Sequence, residues 1–163
     1  MPLDRSTIEE FRMLPLHLRR VALGIPTRCQ AARPKAGGFS LVEHACHLRD
    51  FEREGVQLRI ERTIRESEPD LADFPGDRLA AERGYLKEEF GAALRSFERS
   101  RNDTVRLLGR LSDEQLERPA RFASEGRVSL LRLVRLFAEH DASHRADLDQ
   151  LVIDLSAAGL RRA

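Results

Sequence analysis

The chain has 163 residues, 41% of them hydrophobic and 34% charged, with a formal net charge of +1 and 2 cysteines. That length fits one domain, residues 1–163, able to bury a core. Arg and Glu alternate, as in RESE and RSFERSR, which describes solvated helix faces and not the concentrated basic surface that nucleic acid requires. No apolar run approaches the roughly 20 residues of a membrane span. The N-terminal MPLDRSTIEE lacks the apolar core of a signal peptide. Cys29 and Cys46 are far apart, with no CxxC, which fits reducing cytosol better than a disulfide scaffold. The expectation is a cytoplasmic protein whose partners are neither nucleic acid nor membrane.

Four long helices are predicted. The first begins near Ser6, where Ser6 and Glu9 have capping-box spacing. Ile8, Phe11, Leu14, Leu18 and Val21 recur along it at helical intervals. Pro15 should kink or break it, and Gly24 and Pro26 should stop it. Residues 24–38 read as a loop. The second helix starts at a clearer capping box, Ser40 and Glu43 after Phe39, and runs to about Glu66. His44, His47, Phe51, Glu54 and Leu58 form one of its stripes. After a turn-rich segment, 67–77, a third helix is expected over 79–110, with Leu86, Phe90, Leu94, Phe97, Thr104, Leu108 and Leu111 inward. Ser112 and Gln115 mark a single further turn, and 118–128 reads as a loop around Gly126. The fourth helix starts near Ser129, and its stripe is Leu130, Leu133, Phe137, His140, His144, Leu148, Leu151 and Leu155. No strand-like alternation competes, so the fold class is all-α, a four-helix bundle, in which cofactor sites are built from inward side chains on facing helices.

The chemistry concentrates in the histidines. His140 and His144, four apart, share one helix face and lie on the apolar stripe itself, and His47 lies on the stripe of another helix. Two imidazoles from one helix and a third from its neighbour make a three-nitrogen set with an open position, the pattern of a catalytic metal site. The bland alternative is that all are packed core histidines. His44 shares a face with His47 but lies nearer the capped end, so His47 is preferred. Glu43, Asp50, Glu54 and Asp141 are close enough in sequence to hydrogen-bond metal-bound imidazoles, and Asp50 and Asp141 could equally pair with surface arginines. Cys46 should pack elsewhere, and Cys29 is at best a weak nucleophile.

FSLVEHACHLRDFE, with His47 in it, resembles the second-helix motif of the DinB-like superfamily. HDASHRADL resembles the same superfamily's fourth-helix HxxxH motif, and SFERSRNDTVRLLGRLSDEQLERP is similar to its third helix and following turn. The resemblance covers roughly residues 8–155, with Phe39 standing where the family often has tryptophan. It implies an up-down-down-up DinB/YfiT-like bundle holding one divalent metal, zinc or nickel, on His47, His140 and His144. It also implies a homodimer acting on a small-molecule substrate. The family's reactions point first to a thiol-dependent transferase using bacillithiol, mycothiol or glutathione, with Arg49, Arg132 or Arg145 available for the thiol's carboxylate. A metal-dependent hydrolase comes second, with Glu43, Glu54 or Asp141 as general base, and a non-catalytic, stress-associated metal-binding bundle third. Catalytic residues beyond the metal set are not assigned.

Overall fold

The structure, a computed structural model, describes residues 3–123 and 125–160. Helix α1 spans Arg5–Leu23 and is capped by Asp4, whose carboxylate accepts from the Ser6 amide, so the cap sits two residues before the one the capping-box spacing suggested. Helix α2 (Leu41–Asp50) starts at the Ser40–Glu43 capping box. It continues through a π-helical segment, Phe51–Gln57, into α3 (Leu58–Arg65). The third expected helix is in fact divided. A short α4 (Gly76–Glu82) ends before Gly84, which takes a left-handed φ of 63°, and Glu89 caps α5 (Phe90–Leu108) by accepting from the amides of Gly91 and Ala92. The turn at Ser112 is α6 (Asp113–Glu117), and the Ser129 cap starts α7 (Leu130–Ala157).

The predicted loop at 118–128 contains a small sheet instead. Strands β2 (Pro119–Phe122) and β3 (Gly126–Ser129) pair antiparallel, with Pro119 opposite Ser129, and β1 (Asp70–Leu71) adds in parallel to β2. Segments this short carry too few residues for a period of two to show. Gly126 makes the hairpin at φ 75°, and Ala120 on β2, opposite Val128, is fully buried.

Two apolar clusters fix the helix directions. One gathers the C-terminal halves of α1 and α7 (Leu18, Leu151) with the starts of α2 and α5 (Leu41, Leu94). The other gathers the beginnings of α1 and α7 (Phe11, Leu133) with the far ends of the second helical rod and α5 (Ile60, Leu108). So α1 and α7 run one way and α2–α3 and α5 the other, an up-down-down-up bundle. Because α2–α3 and α5 are consecutive and parallel, the chain must travel back along the bundle between them. That return pairs β1 with β2 and carries α4 past the side of α2. Among the described residues no helix is long and apolar enough to cross a membrane.

At the centre lies an ionic node. Arg101 on α5 is 2% exposed, yet every donor has a partner. Nε and Nη2 reach Glu52 Oε2 at 2.8 and 2.7 Å, Nη1 and Nη2 bind Asp141, and Nη1 also donates to the Phe11 carbonyl at 3.0 Å. Thr104 donates to the other Glu52 oxygen at 2.5 Å. The guanidinium lies over the rings of Phe11 and Phe97 at 5.0 and 4.9 Å. One side chain thus joins α1, the π segment, α5 and α7. Pro15 now has a reason. Its missing N–H frees the carbonyl four residues earlier, that of Phe11, and Arg101 takes it. The proline neither ends α1 nor leaves a buried acceptor unpaired.

Removing one member of a buried ion network strands the others. In urea denaturation, Arg101→Met is expected to lose about 3–5 kcal/mol. A loss below about 1 kcal/mol, the scale of an exposed pair, would show the node to be dispensable.

Candidate metal centre

The site begins with the start of α2. Ser40 and Glu43 cap each other, which sets the helical register that turns His44 and His47 inward. Glu43 is fully buried and also binds Arg33, so the loop before α2 is tied down beside the site. Burial alone would raise the Glu43 carboxyl, but hydrogen bonds from Arg33 and Ser40 hold it below the ordinary value. From the facing α7, one turn separates His140 and His144. Ligating atoms of His47, His140 and His144 lie within 4.8 Å of one another. The Nε2 atoms of His140 and His144 are 3.2 Å apart, and the His47 ring centroid is 4.8 Å from that of His144 and 5.8 Å from that of His140.

These imidazoles fit a metal. Among the described residues no protein group other than a neighbouring ring saturates them: the Nε2 atoms of His140 and His144 meet each other, and the Nδ1 atoms of all three are buried with no hydrogen-bond partner. Burial first, and the neighbouring imidazoles after it, push His47 down to about 3 and His144 down to about 2, so both are the neutral, lone-pair form at pH 7. Carboxylates stand behind two of the rings, with Asp141 Oδ1 4.0 Å from His140 Nδ1 and Asp147 Oδ2 3.8 Å from His144 Nδ1. His47 is held differently. A Cβ at Gly76, the first residue of α4, would sit 2.6 Å from His47 Cε1 and 2.8 Å from Nδ1, so only glycine lets α4 approach the ring this closely. Phe51 stacks on His140 with centroids 4.0 Å apart, and its ring fills the space a Cβ on Gly55 would take, 2.6 Å away. The π segment that contains both is the kind of helical irregularity that gathers at functional sites.

Two cavities meet at the cluster. A cavity of about 480 Å³ is lined by His44, His47, His140 and His144, by Gly37, Gly38 and Phe39 of the tied loop, and by Asp77, Asp147 and Asp154; among the described residues no Lys or Arg lines it. A second, of about 350 Å³, opens on His47 and His140 and is walled by Phe51, Phe74, Phe122, Phe137 and Arg59.

The remaining sequence candidates fall into place around this centre. His44 is 4% exposed, lines the first cavity and meets the edge of His144 at 5.5 Å, but is not in the three-histidine group. Asp50 accepts from Tyr85, Arg83 and Arg49, and so ties α2 to the crossover; Glu54 is bound by Arg83. Asp141 is neither a surface partner nor a simple support for His140: it binds the buried Arg101. Arg49 is taken by Glu88 and Asp50, Arg132 by Glu139 and Glu125, and neither they nor Arg145 lines a cavity at the cluster. Cys46 is buried in the core, where its thiol is pushed up to about 12, and Cys29 is buried too. Sequence reasoning missed Gly76, Phe74 and Asp77, which the crossover delivers, and Arg59. Asp147, three residues after His144, carried a readable signal in its spacing.

The DinB superfamily's sequence profile matches residues 17–148. No functionally curated protein matches the sequence. Among solved structures, YfiT from Bacillus subtilis, described as a probable metal-dependent hydrolase with an unusual four-helix bundle topology, superposes with a TM-score of 0.82 at 16% identity, over 93% of this chain and 86% of that one. At that identity the likeness establishes the fold alone, and the profile match over most of the chain establishes the family. The chain belongs to the DinB superfamily.

Proposed function

We propose that the protein is a divalent-metal-dependent hydrolase of small molecules, with zinc or nickel held by His47, His140 and His144. The observation that carries the reading is the convergence of three imidazoles, with one ligating atom each within 4.8 Å of the others, beside two cavities. When bound, a divalent ion supplies Lewis acidity, making water nucleophilic at neutral pH and polarising a substrate carbonyl. The protein's own part is to hold the rings and manage the proton. Gly76 and Phe51 fix the planes of His47 and His140, and Asp141 and Asp147 lie behind the α7 pair. Among the described residues Glu43, Glu54 and Asp141 are engaged by arginines, whereas His44, held neutral at pH 7 by burial, and the wall carboxylates Asp77, Asp147 and Asp154 are not, so these are the groups placed to take a proton. The thiol-transferase alternative finds less support, because a carboxylate-bearing thiol would enter the larger cavity against Asp77, Asp147 and Asp154, with no cation among the described residues of its wall.

Elemental mass spectrometry of untagged protein is expected to find near-stoichiometric metal in the wild type and none in His47→Ala or His144→Ala. Metal-free wild type after reconstitution would leave the histidines as core residues. Metal-loaded protein should hydrolyse simple esters or amides without added thiol, and activity only with bacillithiol, mycothiol or glutathione would reverse the ranking. Gly76→Ala should weaken metal retention by about 10–100-fold, the scale for groups that orient a ligand, read by competition with a chelator.

The buried histidines also set a pH dependence for metal-free protein. Their folded values lie below the ordinary 6.5, so beneath that pH the unfolded chain binds more protons than the folded one. Stability should therefore fall as pH drops from about 6.5 toward 3. Melting temperatures of His47→Gln across this range should fall less steeply than those of the wild type, and parallel curves would refute the assignment.

A further inference from the structure

We infer that the aromatic cavity beside His47 and His140 binds the carboxylate of a small aromatic molecule, and that Arg59 is the residue that recognises it. Arg59 lies on α3 and is 6% exposed. The other deeply buried guanidinium, Arg101, has two carboxylates and a carbonyl on its donors. Among the described residues Arg59 has one hydrogen bond, from Nη2 to the Ala72 carbonyl at 2.7 Å, and no carboxylate within 4.0 Å. A guanidinium carries five donors in a planar fork that matches a carboxylate, and burying it without a counter-charge is costly. That cost is visible in the lowering of its pKa by burial. Stacking offsets part of the cost, since the guanidinium lies 4.7 Å from the Phe122 ring and 5.7 Å from the Phe51 ring. Among the described residues its other donors have no protein partner, and the side chain lines the cavity.

The cavity supplies the rest of the description. Its volume of about 350 Å³ and its wall of phenylalanines suit one aromatic ring. Two carboxylates border it. Glu125 is bound by Arg132, and Asp73, exposed and beyond contact, favours the charged guanidinium without occupying it. A carboxylate ligand must therefore compete with Asp73, which gives the proposal a signed test. Because His47 and His140 line the same cavity, a molecule anchored at Arg59 lies beside the histidine cluster. This names the substrate class for the hydrolase reading and rests on that reading only for the reacting end; the carboxylate site stands without it.

The probe is phenylacetate, titrated calorimetrically into metal-stripped and metal-loaded protein, with benzylamine as the opposite charge and glutathione as a carboxylate from a thiol source. Phenylacetate is expected to bind both forms of the wild type. Arg59→Gln should weaken it about tenfold or more, Arg59→Lys should fall between, and Asp73→Asn should tighten it several-fold. Binding unchanged in Arg59→Gln, benzylamine preferred over phenylacetate, or Arg59-dependent binding of glutathione alone would each overturn the proposal. Should Arg59→Gln fail to fold, as judged by circular dichroism, Asp73→Asn decides: tightening supports the site and no change refutes it. Binding to metal-stripped protein separates this result from the metal assignment, which elemental analysis tests on its own.

Discussion

The guanidinium of Arg101 is the constraint around which the bundle is arranged. A charge with almost no exposure is tolerable only if its donors are filled, and the chain fills them from every layer: Phe11 from α1, Glu52 from the π segment, Asp141 from α7. Each partner implies a further feature. The Phe11 carbonyl is available because Pro15 cannot bond to it. Glu52 sits in a π-helical segment whose Phe51 stacks on His140. Asp141 places its second oxygen behind the same histidine. The polar core and the histidine cluster are therefore one connected arrangement, in which the packing that neutralises Arg101 also orients part of the site.

What could be read from the sequence follows the range of the forces involved. Capping at Ser40, Ser112 and Ser129 is local, and its residues announce it. The histidine stripes are local too, so the faces that bring His47, His140 and His144 together were legible before any coordinates. Asp4 displaced Ser6 as the first cap because either can accept from the first-turn amides. Gly84 divided the third helix although the apolar spacing from Leu86 to Leu111 ran on. The three short strands left no periodic trace. Asp141 could not be placed, because its partner lies 40 residues away on another helix. Gly76, Phe74 and Arg59 were invisible for the same reason, since their roles exist only once the crossover has passed α2.

The up-down-down-up order gives that crossover its importance. Antiparallel neighbours could be joined by a short turn, whereas two consecutive parallel helices require a long return. Here the return lays α4 against the His47 ring and brings Phe74 into the wall of the aromatic cavity, its ring 5.7 Å from that of His47. The topology thus puts a second set of walls around a cluster that the helices alone would leave open. One chamber is lined by aspartates and the other by phenylalanines and an arginine, and the histidines stand between them.

The reach of Arg101 also bears on how the chain acquires its structure. Its bonds span 49, 40 and 90 residues, distances over which closure is slow relative to local helix formation. During synthesis from the N-terminus, Phe11, Glu52 and Arg101 precede Asp141, so a nascent chain that has not yet delivered α7 holds a node one carboxylate short. Helices can form at once, but the buried charge has no complete shell until the last helix arrives. Docking of α7 is then the step that completes the node. Because α7 also carries His140 and His144, a chain that has not completed its fold has no histidine cluster with which to capture a metal.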